Sequence, residues 1–259
     1  MAKFQRELRE RIIELQVKLY ACIARLQVHT DDEALHDLRI ALRRLRSLLR
    51  PLRSEKLCAA LERAAAALGE TSGPLRDLEV LAGELEQRGQ SHAAQRRRAH
   101  LAQGYARLLE GLPLNRLLIL LDDWHEDQRQ LARNGEWHIR GKAVTKYMRK
   151  QSRKLAEALR NPAHDRHRLR LLIKRLRYCH EAWPQPVDLP AAAPKALRNA
   201  QSALGDWHDH WQWLQRLQTE PDLVPCAEVW RERLQQAEAE ADLALQALLE
   251  HFPEAPAQS

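Results

Sequence analysis

Long apolar runs are missing from this chain: none is long enough to span a bilayer. The first 20 residues carry a charge every few positions where a secretory signal would have an apolar core. Glycine is scarce, at nine residues, and β-branched side chains are few beside Leu, Ala, Arg, Glu and Gln. Those five are good helix formers, so the balance argues against sheet. Only four cysteines occur, Cys22, Cys58, Cys179 and Cys226, and none forms a C-x-x-C pair. They read as small buried residues in a reducing compartment, without disulfides or structural zinc. Together these features point to a cytoplasmic protein away from the membrane.

Catalytic signatures are also missing. The chain has no G-x-x-x-x-G-K-[ST] phosphate loop, no H-E-x-x-H and no G-x-S-x-G. Phosphoryl transfer needs carboxylates that hold metal beside the phosphates, and no such cluster is legible. The expectation is a protein that is not an enzyme and uses neither cofactor nor metal.

What is present is a helical pattern with a basic excess. Apolar residues make up 44% of 259, enough for one large helical domain or two smaller ones. Forty-two Lys and Arg face 35 Asp and Glu, a formal net charge of +7. That excess suits an anionic partner without choosing one.

Helical periodicity begins over 4–27, where Leu8, Ile12, Leu15, Leu19 and Ile23 recur on one side. Thr30 and Glu33 match a capping box opening a second helix, which runs to about 52 with Pro51 disturbing its last turn. A third helix over 55–68 is expected to stop at a 69–74 loop, followed by helices over 75–87, over 92–110 and from 114. Asn134-Gly135 is a turn signal that divides the chain into halves, 1–133 and 134–252. Helices then follow over 139–159, from an Asn161 N-cap with Pro162 at the first helical position to about 183, over 196–218 and over 226–249. A proline-rich connection covers 184–194, and 253–259 reads as a frayed tail.

The halves resemble each other. The spacing H-x-x-R-x-x-x-[RK]-R-x-R runs from His36 through Arg39, Arg43, Arg44 and Arg46. It recurs from His167 through Arg170, Lys174, Arg175 and Arg177. Each copy is followed by Leu-Gly, at Leu68-Gly69 and Leu204-Gly205, and then by an acid, Asp77 or Asp209. Upstream, Arg11 and Lys18 stand where the second half has Lys142 and Arg149. An internal duplication, giving an all-α protein of two pseudo-twofold bundles, accounts for this order.

At about 100° per residue, His36, Arg39, Arg43, Arg46 and Arg50 share one stripe, and Leu38, Leu42, Leu45, Leu49 and Leu52 gather on a face pointing away from it. His167, Arg170, Lys174 and Arg177 repeat it with Tyr178 at the edge, while Arg44 and Arg175 flank the two copies. Lys142, Lys146, Arg149 and Arg153 form a further basic stripe. Like charges stacked at successive turns weaken an isolated helix by a few tenths of a kcal/mol per pair. Their repetition therefore suggests a use. A linear anion is the natural complement, because guanidinium groups grip phosphates in a bidentate way. If these helices turn toward one another, they line a continuous basic groove. Tighter binding as pH falls through about 6.5 is expected if the two stripe histidines charge on binding.

These elements resemble the CHAD family, the conserved histidine α-helical domain. The likeness rests on the two histidine–arginine elements, Arg177-Tyr178, Arg76-Asp77, and Leu204-Gly205 with Asp209. It implies two pseudosymmetric bundles around a basic central channel that binds inorganic polyphosphate, with an association with polyphosphate granules. By position it falls on His36, Arg39, Arg43, Arg46, His167, Arg170, Lys174, Arg177 and Tyr178. Two departures stand out: a longer stretch after Gly69, and the aromatic, histidine-rich Trp207-His208-Asp209-His210. The alternatives are a nucleic-acid-binding helical protein, for which the stripes lack aromatic platforms, and a polyphosphate or triphosphate hydrolase.

Overall fold

The computed structural model describes residues 2–28, 31–161, 163, 165–184 and 189–252. Among them there is no strand. In chain order the helices are α1 (Ala2–Gln27), α2 (Ala34–Leu49), α3 (Lys56–Thr71), α4 (Gly73–Gln87) and α5 (Ser91–Glu110). They continue as α6 (Leu112–Arg133), α7 (Gly141–Leu159), α8 (Arg166–Ala182), α9 (Ala193–Arg216) and α10 (Ala227–Leu249). No described helix is long and apolar enough to cross a membrane. The all-α reading of the sequence holds.

Two compact units divide the chain, Met1–Val144 and Thr145–Ser259. The division falls inside α7 and not at the Asn134-Gly135 turn, for a packing reason. Gly135, at φ 70°, does end α6, since that left-handed conformation suits glycine. Trp137 then folds back, buried edge-to-face against Trp124 of α6 at 6.0 Å between centroids, and Ile139 is buried beside it in sequence. The segment beyond the turn therefore stays with the first unit.

In the first unit α2 packs against α1 and α3, and α3 also packs against α6. The leucines at 35, 38, 42, 45 and 49 are all buried, which fixes the rotation of α2 and turns its arginine stripe along the side of α3. Each buried leucine contributes roughly 1.5–3 kcal/mol. Cys58, Ala64 and Ala65 keep α3 slim enough to lie against two helices. Pro51 closes α2 with a 3-10 turn, Arg50–Leu52.

Several expected boundaries move, among them the start of α9, which begins at Ala193 inside the expected 184–194 connection. α3 does not stop at Gly69 but continues to Thr71, and only Ser72 separates it from α4. The expected 69–74 loop is thus almost absent. Ser72 is fully buried, its N–H donates to the Leu68 carbonyl, and Pro74 sits in the first turn of α4, where its missing N–H costs nothing. α8 begins at Arg166, later than Asn161-Pro162 suggests. Its N-cap is Asp165, whose Oδ1 accepts the His167 backbone N–H at 2.9 Å. Asn161 instead accepts from the Ala163 N–H at 3.0 Å, closing a turn. Pro162 and Thr30 lie outside the described residues, as does the 253–259 tail. At the start of α2, Asp31 Oδ1 accepts the Glu33 N–H, while Arg25 holds both Asp31 and Asp37. Asp165→Ala is expected to cost about 1 kcal/mol, read as a lower midpoint in urea unfolding.

The second unit is built on Leu155 and Leu159 of α7, Leu169, Ile173 and Leu176 of α8, Leu197 and Leu204 of α9, and Leu245 and Leu248 of α10. α9 packs on both α8 and α10. All four cysteines are free and buried.

Candidate anion-binding site

In the first unit the buried leucines of α2 leave His36, Arg39, Arg43 and Arg46 half-buried on the adjacent face, with Arg50 in the following 3-10 turn. Arg39, Leu42, Arg43, Arg46, Arg50 and Gly69 line a cavity of about 90 Å³. Arg39 is locked in place: its Nη1 donates to the Gly69 carbonyl at 2.9 Å and to Ser72 Oγ at 2.9 Å. Arg44 is exposed to the side of this group.

The acid that organises the stripe comes from α3. Glu62 is 1% exposed, and its Oε1 accepts from Arg46 Nε and Arg50 Nε, each at 3.2 Å. Its Oε2 accepts from Arg53. Burial alone would raise its pKa, but Arg53, Arg46 and Arg50 hold the carboxyl below its ordinary value. The helix-wheel view of α2 by itself shows like charges with little acidic relief; the relief arrives from the neighbouring helix. Glu62 could be suspected from sequence, because it shares the face of α3 that carries Cys58, Leu61, Ala65 and Leu68. A carboxylate buried there requires a cation. Asp77, the acid singled out by the repeat, is exposed and acts on Arg39 only through space.

The cluster remains short of negative charge. Burial lowers the pKa of Arg39, and Arg43 and Arg76 lower it further against the opposing effect of Asp77. Burial followed by Arg50 does the same to Arg46, against Glu62. Both guanidinium groups stay charged at neutral pH. An arriving anion would relieve the repulsion among them.

In the second unit α8 carries the repeat. His167 is exposed; Arg170, Lys174, Arg175 and Arg177 are half-buried. Arg177 Nη1 lies 3.4 Å from Glu181 Oε1, and its guanidinium carbon sits 4.4 Å above the Tyr178 ring. Tyr178 is only 7% exposed, and its hydroxyl accepts from Gln201 Nε2 at 3.1 Å. Its place is in the packing beneath the stripe, not on its outer edge. On α7, Lys142, Lys146, Arg149 and Arg153 are all exposed at helical spacing, with Arg153 3.5 Å from Glu157.

A residue absent from the repeat completes this group. His208 of α9 is buried, and its ring centroid lies 5.4 Å from that of His167. Trp207 and Trp211 flank it at 6.1 Å each. Trp211 is 43% exposed, so aromatic surface does adjoin the second stripe, contrary to what the stripe sequences alone suggest. His210 turns elsewhere, its Nδ1 2.8 Å from the Asp206 carbonyl oxygen. Among the described residues no three His, Cys, Asp or Glu side chains are grouped to hold a metal ion.

The two halves thus share an order of parts. Leu68-Gly69 lies in α3, which packs on α2, and Leu204-Gly205 lies in α9, which packs on α8. They differ in chemistry: counted back from the shared glycine, the position of Glu62 is held in the second unit by Arg198.

No curated protein sequence matches this chain. Among solved structures, the crystal structure of the CHAD domain from the plant Ricinus communis is similar in fold, with a TM-score of 0.59 at 22% identity. That match covers 95% of this chain and 90% of the plant one. The sequence profile of the CHAD domain matches residues 17–218, which take in both histidine–arginine elements and both Leu-Gly pairs; the chain belongs to the CHAD family.

Proposed function

We propose that this protein binds inorganic polyphosphate on its basic helix faces, as a non-catalytic granule-associated or scaffolding protein. The observation that carries the reading is the arginine-lined cavity of the first unit. Arg39, Arg43, Arg46 and Arg50 converge there, with Arg39 anchored by Gly69 and Ser72, and Arg46 and Arg50 by Glu62. Such anchoring holds guanidinium groups ready for an anion without ordering them anew at each encounter. The same residue pattern on α8 supplies a second basic face, so a repetitive anion has more than one place to attach. The exposed Lys142, Lys146, Arg149 and Arg153 of α7 add charge that draws a polyanion in.

Binding of labelled long-chain polyphosphate, followed by fluorescence anisotropy, tests this directly. The affinity is expected to fall by on the order of tenfold to a hundredfold between ~50 and ~200 mM salt, as several cations are displaced from the chain. No saturable binding at the lower salt would refute the reading.

One observation favours a second reading, single-stranded nucleic acid. Trp211 presents partly exposed aromatic surface against His208, whose ring lies 5.4 Å from that of His167 on the second basic face. Bases stack on such surfaces, whereas polyphosphate cannot. Trp211→Ala is expected to leave polyphosphate affinity within about twofold; loss of RNA binding alone in this variant would assign that face to nucleic acid.

A further inference from the structure

The two units treat the leading arginine of their repeats differently. In the first, Ser72 stands three residues after Gly69 and accepts a hydrogen bond from Arg39. In the second, the position three residues after Gly205 is His208, and Arg170 is the counterpart of Arg39. A hydroxyl that carries no charge at any ordinary pH is thus replaced by a group that can take up a proton.

The setting of that imidazole is unusual. His208 is 8% exposed, its Nδ1 is sealed from solvent, and no hydrogen-bond partner reaches that nitrogen. Facing it from α8 are three basic groups, His167, Arg170 and Lys174, while Trp207 and Trp211 of its own helix flank the ring. Burial, followed by Arg170, His167 and Lys174, pushes its pKa down to about 4, so it is neutral in the free protein at neutral pH. A neutral ring is what allows a buried side chain to sit among these cations.

Resting on the polyphosphate reading above, we propose that phosphoryl binding at His167, Arg170 and Lys174 is coupled to protonation of His208, which makes the second unit a proton-linked anion site. The physical cause is charge balance. Three of the four influences that keep His208 neutral come from cations or from a group that can become one. An anion seated on Arg170 and Lys174 cancels much of their repulsion and adds attraction for an imidazolium. The His208 pKa then rises on binding, so protons are taken up and affinity increases as pH falls toward the bound-state value. The first unit, with Ser72 in the equivalent place, has no such group there. The linkage through a buried imidazole therefore belongs to the second face alone.

The test uses the whole chain, with ¹⁵N-labelled histidine, at about pH 6, where a ring with a pKa near 4 is neutral. Long-range ¹H–¹⁵N spectra are recorded with and without long-chain polyphosphate, whose internal phosphates do not titrate in this range. His208→Asn identifies the His208 signal. The expected result is that the two His208 nitrogens, distinct in the free protein, move to imidazolium positions on saturation. A His208 ring that stays neutral while other signals report saturation overturns the coupling and leaves the polyphosphate reading standing. Absence of any saturable change in wild type overturns the polyphosphate reading itself.

Discussion

Reversing charge at Arg43 and Lys174 together, as Arg43→Glu with Lys174→Glu, is expected to weaken polyphosphate binding by at least about a hundredfold. Each charge-assisted hydrogen bond to a phosphate is worth about 1.5–3 kcal/mol, and two are removed. The introduced carboxylates then repel the anion they face. Arg43 lines the cavity of the first unit and Lys174 is half-buried on α8, so the pair disables one face in each unit. Neither residue belongs to the buried leucine cores, which occupy other faces of α2 and α8. Helicity by circular dichroism is therefore expected to match wild type. Undiminished binding by this folded variant would remove both faces from the account.

Glu62→Ala carries the largest expected effect on stability. Glu62 is the common acceptor for Arg46, Arg50 and Arg53. Removing one partner from a buried ionic group can cost 3–5 kcal/mol. Here the three arginines keep partial access to water, so a loss of about 2–3 kcal/mol is expected. For a chain of this size that lowers the melting midpoint by roughly 4–12 °C. The pH dependence has a definite sign. The Glu62 carboxyl is held below its ordinary value in the fold, so its contribution is complete above that ordinary value and fades as pH falls through the depressed one. Wild type and variant should accordingly differ most at neutral pH and converge in acid. Equal midpoints at neutral pH would show that the cluster does not brace α2 against α3.

The fold was legible because its signals are local. Leucines at helical spacing identified α2 and α8 and their rotation, and few glycines with no β-branched runs left no competing sheet pattern. Boundaries were harder where several residues offer the same service. Asn161 and Asp165 are both competent caps; Asp165 wins because α8 starts only where Leu169 can enter the core. Gly69 reads as a stop, yet a glycine inside a helix that is otherwise well packed costs only about 1 kcal/mol, and α3 continues past it.

The candidate site was legible as a set of arginines but not as an arrangement. A single-helix projection counts charges on one helix and misses a carboxylate delivered by the next, as Glu62 is by α3. It also places Tyr178 by angle alone, whereas the angle that carries it to the edge of the stripe buries it against Gln201. His208 stood out in sequence for its aromatic company. Only the packing of α9 on α8 brings it to His167, Arg170 and Lys174.

The most direct test of the central claim is competition: labelled long-chain polyphosphate bound at fixed moderate salt and challenged with charge-matched RNA, duplex DNA or heparin. The account predicts that polyphosphate resists displacement, because guanidinium groups fixed by Gly69, Ser72 and Glu62 recognise phosphate spacing as well as charge. Equal displacement by RNA or heparin would contradict it and reduce the affinity to release of counterions from any polyanion.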